Sequence, residues 1–248
     1  MSRTKTLADI IAIKQTVAAM EAAMVAVISY LKNTTDPTSE AAHAVIDRVL
    51  GEYGCVSPHL PEAHIVAAGP KSFEPHYPGT GVIDPGQPIV IDIYPQSTQT
   101  GFWADMTRTV CLGTPSPELQ AMYDAVTRVH EATIARLQPG ASCDDLQQAA
   151  VDQFIAMGYD PVGVGSEFKF SEGFVHSLGH GLGKDIHEEP FFGGGRGHVL
   201  QVGDVITIEP GLYYKHIGGV RLEDLFLITK DGCEQLTSLP LGLRVDNC

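Results

Sequence analysis

The sequence is poor in positive charge. Its 248 residues hold 16 Lys and Arg against 30 Asp and Glu, a formal net charge of -14. So acidic a chain argues against nucleic acid and anionic membranes as partners, since both need basic patches. Cysteine is sparse: Cys55, Cys111, Cys143, Cys233 and Cys248 are odd in number, scattered, and never in a CxxC spacing. That excludes a disulfide scaffold and a thiolate zinc site, and fits a reducing compartment. No basic start with an apolar core and a small-residue cleavage site opens the chain. The apolar run from Ile10 to Leu31 is interrupted by Lys14 and Glu21, which is too polar for a membrane span. A cytoplasmic location is therefore expected. There is no linker or low-complexity stretch, so residues 1–248 are expected to form a single domain. At 44% hydrophobic and 19% charged, the chain is ordinary globular material rather than disordered.

Periodicity supplies the elements. Leu7 to Leu31 carries Ala, Met, Ile and Val at helical spacing, which predicts a long helix with one broad apolar face. Thr38-Ser-Glu opens a second helix that Gly54 stops. A short strand is predicted at 64–68. A strongly apolar strand at 89–94 and a return strand at 101–112 follow, joined by a polar tip. The plan then repeats, with helices predicted from Ser116 to Leu137 and from Ser142 to Met157, the second stopped by Gly158. The 38–54 and 142–158 segments match in length and pattern, a sign of internal duplication. Two further apolar strands are predicted at 205–214 and 219–229. Helix pairs followed by strands in each half imply an α/β (α+β) fold, with helices outside a curved, mostly antiparallel sheet.

The stretch His176-Ser-Leu-Gly-His180-Gly-Leu-Gly-Lys-Asp-Ile-His187-Glu-Glu-Pro190 interleaves three histidines with glycines. Glycine permits close backbone approach, and histidine is both a metal ligand and a proton carrier. Four apolar strands also carry one acid each, at Asp92, Asp105, Glu209 and Glu223. Buried ionised carboxylates are costly unless paired or bound to a metal. The cations very near them are Arg108 and Arg221, too few for four acids. Adding His180 gives an oxygen-rich set with one nitrogen, suited to manganese, cobalt, iron or zinc and too nitrogenous for calcium. Four carboxylates exceed the needs of one ion. Two ions about 3.5–4 Å apart would use them, with hydrolysis as the chemistry.

In order, Asp92, Asp105-Met-Thr-Arg-Thr, His180-Gly-Leu-Gly…His187-Glu-Glu-Pro, Ile208-Glu209-Pro-Gly and Val220-Arg-Leu-Glu223-Asp resemble the pita-bread metallopeptidase family of methionine aminopeptidase, aminopeptidase P and prolidase. The resemblance covers nearly the whole chain. It implies pseudo-twofold halves and two divalent ions, Mn²⁺ or Co²⁺ first, Zn²⁺ or Fe²⁺ otherwise. It places Asp92 on one ion, His180 and Glu209 on the other, and Asp105 and Glu223 across both. By the same likeness Glu209 exchanges a proton with a water held between the ions, and His187 steadies the scissile carbonyl. His76 matches a substrate-side histidine, His176 a histidine near the substrate, and Arg221 an arginine that places the acids or a substrate carboxylate. Arg221 also reads as a structural counter-ion, and His176 as a pocket wall. Arg108 reads as a fold-stabilising partner, Trp103 and Tyr94 as core or rim. His43, His59, His64, His130, His198 and His216 have no motif support.

Asp-Met-Thr-Arg-Thr, Glu-Pro-Gly-Leu-Tyr and Val-Arg-Leu-Glu-Asp resemble the Xaa-Pro branch, whereas His187-Glu-Glu-Pro resembles the methionine branch. The balance implies short peptides as substrates, cleaved at Xaa-Pro, with methionine aminopeptidase activity or a non-peptidase binding role as alternatives. A homodimer is implied by the family alone. Two departures stand out. The Asp92–Asp105 interval is two residues longer than usual, and no counterpart is expected of the N-terminal domain that shapes the pocket in aminopeptidase P and prolidase. A pocket wall is thus expected from this domain or a partner subunit.

Overall fold

The computed structural model describes residues 3–57, 64–160 and 172–245; His59 and Cys248 lie outside them. The first half opens with α1 (Leu7–Asn33) and α2 (Ser39–Glu52). The strands β1 (Cys55–Val56), β2 (Ile65–Ala68), β3 (Pro88–Ile93), β4 (Gln96–Ser97) and β5 (Met106–Cys111) follow. The second half opens with α3 (Pro117–Ile134) and α4 (Cys143–Ala156). It continues with β6 (His180–Gly181), β7 (Glu188–Phe191), β8 (Val205–Ile208), β9 (Gly211–Tyr214), β10 (Gly218–Arg221), β11 (Asp224–Thr229) and β12 (Gly232–Gln235).

Local chemistry accounts for the repeated helices. α2 and α4 are each 14 residues long. The Thr38 side chain accepts from Ala41 N–H at the start of α2, and Ser142 accepts from Asp145 N–H at the start of α4. Each cap satisfies an otherwise orphaned donor and contributes about 1 kcal/mol. Gly54 and Gly158 follow the helices at positive φ, 68° and 86°, where a side chain would be strained. The two helices are thus built from the same parts.

α1 meets the length and mean hydropathy (1.6) of a membrane-spanning helix, despite the Lys14 and Glu21 that interrupt its apolar run. Packing explains the apolarity. Ile13, Met20, Met24, Val27 and Leu31 are fully or almost fully buried against α2 and the first-half strands, and each such side chain contributes roughly 1.5–3 kcal/mol. A second cluster joins α3 and α4 to the second-half strands. β11 serves both: Leu225 and Leu227 face the first cluster, Phe226 and Ile228 the second. That alternation is the period-2 side-chain pattern of a strand covered on both faces.

Every ladder between described strands is antiparallel. One sheet runs β2-β3-β5 and another β12-β11-β8-β6-β7, with β9–β10 and β1–β4 as two-stranded pairs. The halves meet along a seam between β5 and residues 221–223. Thr109 Oγ1 accepts from Arg221 N–H at 2.9 Å and donates to Arg221 O at 2.9 Å. Glu223 N–H donates to Thr107 O at 3.0 Å.

Three expected strands need correction. The 205–214 run divides at Glu209-Pro210 and the 219–229 run at Leu222-Glu223, because the chain changes partners there: β8 pairs with β11, but β9 pairs with β10. The return strand expected at 101–112 starts only at Met106. Residues 95–105 instead make an excursion held by the Gln96–Trp103 bridge and the β1–β4 pair. Of the four acids, only Asp92 lies within a strand; Asp105, Glu209 and Glu223 sit at strand ends and breaks.

Candidate metal centre

β3 carries Asp92 opposite Thr107 of β5, and Asp105 immediately precedes β5, so the hairpin brings both acids to one end of the first-half sheet. The breaks after β8 and β10 turn Glu209 and Glu223 toward the same end. His180 reaches it because Gly179 seats the backbone against β8; a Cβ there would lie 2.1 Å from Thr207 O. His180 N–H then donates to Thr207 Oγ1 at 3.1 Å.

Ligand atoms of Asp105, His180 and Glu223 all lie within 4.8 Å of one another. His180 Nε2 is 3.7 Å from Asp105 Oδ2 and 3.5 Å from Glu209 Oε1. The other ring nitrogen, Nδ1, donates to Gly181 O at 3.1 Å. A carbonyl only accepts, so the tautomer is fixed with the Nε2 lone pair facing the acids, the arrangement of a metal-binding imidazole. Burial holds the imidazole neutral, its pKa lowered to about 3 with help from nearby His187.

The acids repel each other. Burial first, then Glu223, Asp92 and Glu209, raise Asp105 well above the carboxylate range. Burial, then Glu209 and Asp92, do the same for Glu223. Burial raises Glu209 to about 8, with Asp92 adding to the rise and Arg221 opposing it. Asp92 Oδ1 and Asp105 Oδ1 are buried and accept no hydrogen bond. A lone pair on an imidazole, four crowded carboxyl groups and two orphaned oxygens form a donor set that a divalent cation satisfies.

One cation of the chain is built into this corner. Arg221, 4% exposed, donates to Asp92 Oδ2 at 2.7 Å, Tyr213 OH at 2.7 Å, Thr107 Oγ1 at 3.1 Å and Pro75 O at 3.2 Å. Thr107 in turn donates to Glu223 Oε2 at 2.8 Å. Arg221 thus links Asp92 directly, and Glu223 through Thr107. Arg108 lies on the far side of the strand, paired with Asp224 Oδ1 at 2.7 Å and donating to Glu223 O at 2.8 Å.

The histidines line the approach. The His187 ring stands edge-on to His180 with centroids 4.4 Å apart. Burial lowers His187, as does nearby His76, while Asp92 opposes. His76, on the loop that offers Pro75 O to Arg221, is near enough to His176 to depress its basicity too. His176 itself has both ring nitrogens engaged, Nδ1 with Ser177 O at 2.8 Å and Nε2 with Tyr213 OH at 2.9 Å. Because Arg221 donates to the Tyr213 hydroxyl, the hydroxyl proton points at His176. Tyr213, with burial raising its pKa to about 12, remains a phenol. Tyr213 closes the Glu-Pro-Gly-Leu-Tyr motif, but the sequence alone assigns it no role, since its link to Arg221 and His176 is not visible in the local pattern.

Residues 11–230 match the model of metallopeptidase family M24. The chain belongs to the M24 family. An Xaa-Pro dipeptidase of Lactobacillus helveticus is 33% identical to this M24 chain over 182 residues, 73% of the chain but 46% of the relative. The X-Pro aminopeptidase of Thermotoga maritima superposes with a TM-score of 0.86 at 28% identity, covering 98% of this chain and 64% of that one. The prolidase of Pyrococcus horikoshii gives 0.84 at 29%, covering 97% and 65%. The M24 chain therefore has the pita-bread fold expected of it, and spans about half the length of the curated relatives it matches.

Proposed function

We propose that this M24 chain is the catalytic domain, over residues 1–248, of a metal-dependent exopeptidase that removes the first residue of short peptides at Xaa-Pro bonds. The observation that carries the reading is the meeting of Asp92, Asp105, His180, Glu209 and Glu223, drawn from both halves, with two buried carboxylate oxygens left unsatisfied. Two divalent ions would be held there, Asp92 serving one, His180 and Glu209 the other, and Asp105 and Glu223 both; Mn²⁺ and Co²⁺ suit this donor set best. Bound ions supply Lewis acidity toward the peptide carbonyl and water.

The chain's own groups do the rest. Glu209, 3.5 Å from His180 Nε2, takes a proton from the attacking water and returns it to the leaving amine. His187, edge-on to His180, offers an N–H to the oxygen on which charge develops. His76 contacts the substrate nitrogen from the loop above. Arg221 and Tyr213 fix Asp92 and His176 in place, and His176 lines the pocket. Free thiols at Cys55, Cys111, Cys143 and Cys233 support a reducing, cytoplasmic setting.

The test is a panel of Xaa-Pro, Xaa-Pro-Xaa and Met-Xaa peptides, each assayed with Mn²⁺, Co²⁺, Zn²⁺ and Fe²⁺. Cleavage confined to proline in the second position supports the reading. Cleavage of Met-Ala alone assigns the methionine branch instead, and metal-free protein after dialysis against Mn²⁺ or Co²⁺ defeats both.

A further inference from the structure

The residues ahead of α1 lie along the second half of the fold. Lys5 N–H donates to Gly203 O at 2.8 Å. Arg3 grips Asp204 with Nε at 2.9 Å and Nη2 at 2.5 Å. The Lys5 ammonium reaches Glu188 Oε1 at 2.5 Å, and its side chain is only 5% exposed, that of Glu188 20%. Lysine is rarely buried without a fixed partner, and a pair enclosed to this degree is screened less than a pair on the open surface. Glu188 directly follows His187 and begins β7.

The other flank of the same loop is fastened from the 95–105 excursion. Trp103 N–H donates to Gly183 O at 2.9 Å, and its indole Nε1–H donates to Lys184 O at 3.0 Å. Trp103 is 6% exposed, so its ring is anchored in the core while its polar edge holds the loop. At Gly183 a Cβ would stand 2.5 Å from Glu188 Oε2, so glycine lets Glu188 fold back over its own loop toward Lys5. Residues 183–188 are therefore gripped from both flanks by side chains of the first half.

We propose that Lys5 and Trp103 are positioning residues that hold His187 in register above the acidic centre, making the N-terminal strap part of the working site. Neither touches the reacting atoms; each acts through the loop that presents His187. The assignment rests on His187 serving the peptidase reaction proposed above. A shift of about 1 Å in such a group costs roughly a hundredfold in rate.

Three variants test it in the full chain. Lys5→Met keeps the stem and removes the ammonium, Lys5→Arg keeps the charge, and Trp103→Phe removes the indole N–H. Lys5→Met with Glu188→Gln removes the cost of leaving the carboxylate alone. Backbone hydrogen exchange over residues 183–189 needs no turnover. It is expected to quicken about tenfold in Lys5→Met, the double variant and Trp103→Phe, with α2 and α4 unchanged, and to return in Lys5→Arg. On an Xaa-Pro peptide, kcat falls about a hundredfold, with metal stoichiometry and KM unchanged. Unaltered exchange at 183–189 overturns the proposal. So does loss of protection spread over the whole chain with kcat falling only as the folded fraction falls, since the strap would then be structural. If the unmodified chain cleaves no peptide, the proposed function fails, while the exchange result still decides whether the clamp exists.

Discussion

Arg221 Nη2 and Asp92 Oδ2 are 2.7 Å apart, both side chains largely buried. The pair ties an acid of β3 to the end of β10, across the join between the halves. The guanidinium also reaches Tyr213, Thr107 and Pro75, a four-way fork that an ammonium cannot reproduce. Arg221→Lys is therefore expected to lower metal affinity or kcat by about 10- to 100-fold with the fold retained. Titration with Mn²⁺ followed by calorimetry reads the first and peptide turnover the second; wild-type values for both would reduce Arg221 to a dispensable counter-ion.

His180 and His187 are ring neighbours, but their substitution should separate cleanly. His180→Ala removes the one nitrogen from the donor set and is expected to lower bound metal per chain. His187→Ala should leave metal content alone and cost about 10²- to 10³-fold in kcat, the usual loss for one donor to a developing oxyanion. Metal analysis beside steady-state kinetics distinguishes them.

Stability of the chelator-treated protein should fall as pH rises above neutrality. Glu209 ordinarily titrates near 4.5 but is raised by burial to about 8. The native state thus binds more protons than the unfolded state between those values, and this contribution is lost on passing pH 8. Histidines with lowered values, His130 at about 4 and His180 at about 3, both mainly through burial, act oppositely. Their contribution is present above about pH 6.5 and is lost below it. From about pH 7.5 to 8.5 the histidine contribution is nearly complete, while the raised Glu209 and the buried Cys143 thiol, pushed up to about 12, still lose theirs, so Tm in chelator should drop. Mn²⁺ should raise Tm more at pH 8.5 than at 7.5, because binding displaces the protons held by the acids. A chelator Tm that rises over this interval contradicts the picture.

Behind the acids, Arg108 and Asp224 form an ion pair with side chains 3% and 2% exposed, and Thr237 Oγ1 donates to the same Asp224 oxygen at 2.6 Å. Arg108→Met strands a buried carboxylate and is expected to cost about 3–5 kcal/mol. Urea unfolding should show a lower midpoint at an unchanged slope. A stability loss under about 0.5 kcal/mol, the range for ordinary surface positions, would mean that His130, 3.3 Å from Asp224 Oδ2, takes over the charge.

Much of this was legible in the residues themselves. α1 follows from its spacing, and α2 and α4 from their Thr38 and Ser142 caps and closing glycines. The acids of the centre stood out because carboxylates in apolar runs demand an explanation. The strand breaks at Glu209 and Glu223 did not, since the hydrophobic pattern runs on through them and only the change of partner strand creates them. Trp103 read as core or rim; its bonds to Gly183 and Lys184 depend on a distant loop folding against it. Lys5 and Glu188 lie 183 residues apart, and no local pattern announces such a pair.

The seam at Thr109 has a consequence for how the molecule assembles. Asp92 and Asp105 arrive with the earlier chain, and His180, Glu209 and Glu223 with the later one, so each moiety alone holds an incomplete set. Cation uptake is thus an and-gate on docking. During refolding, capture of Mn²⁺ should lag behind helix formation and report the moment at which the two halves first embrace.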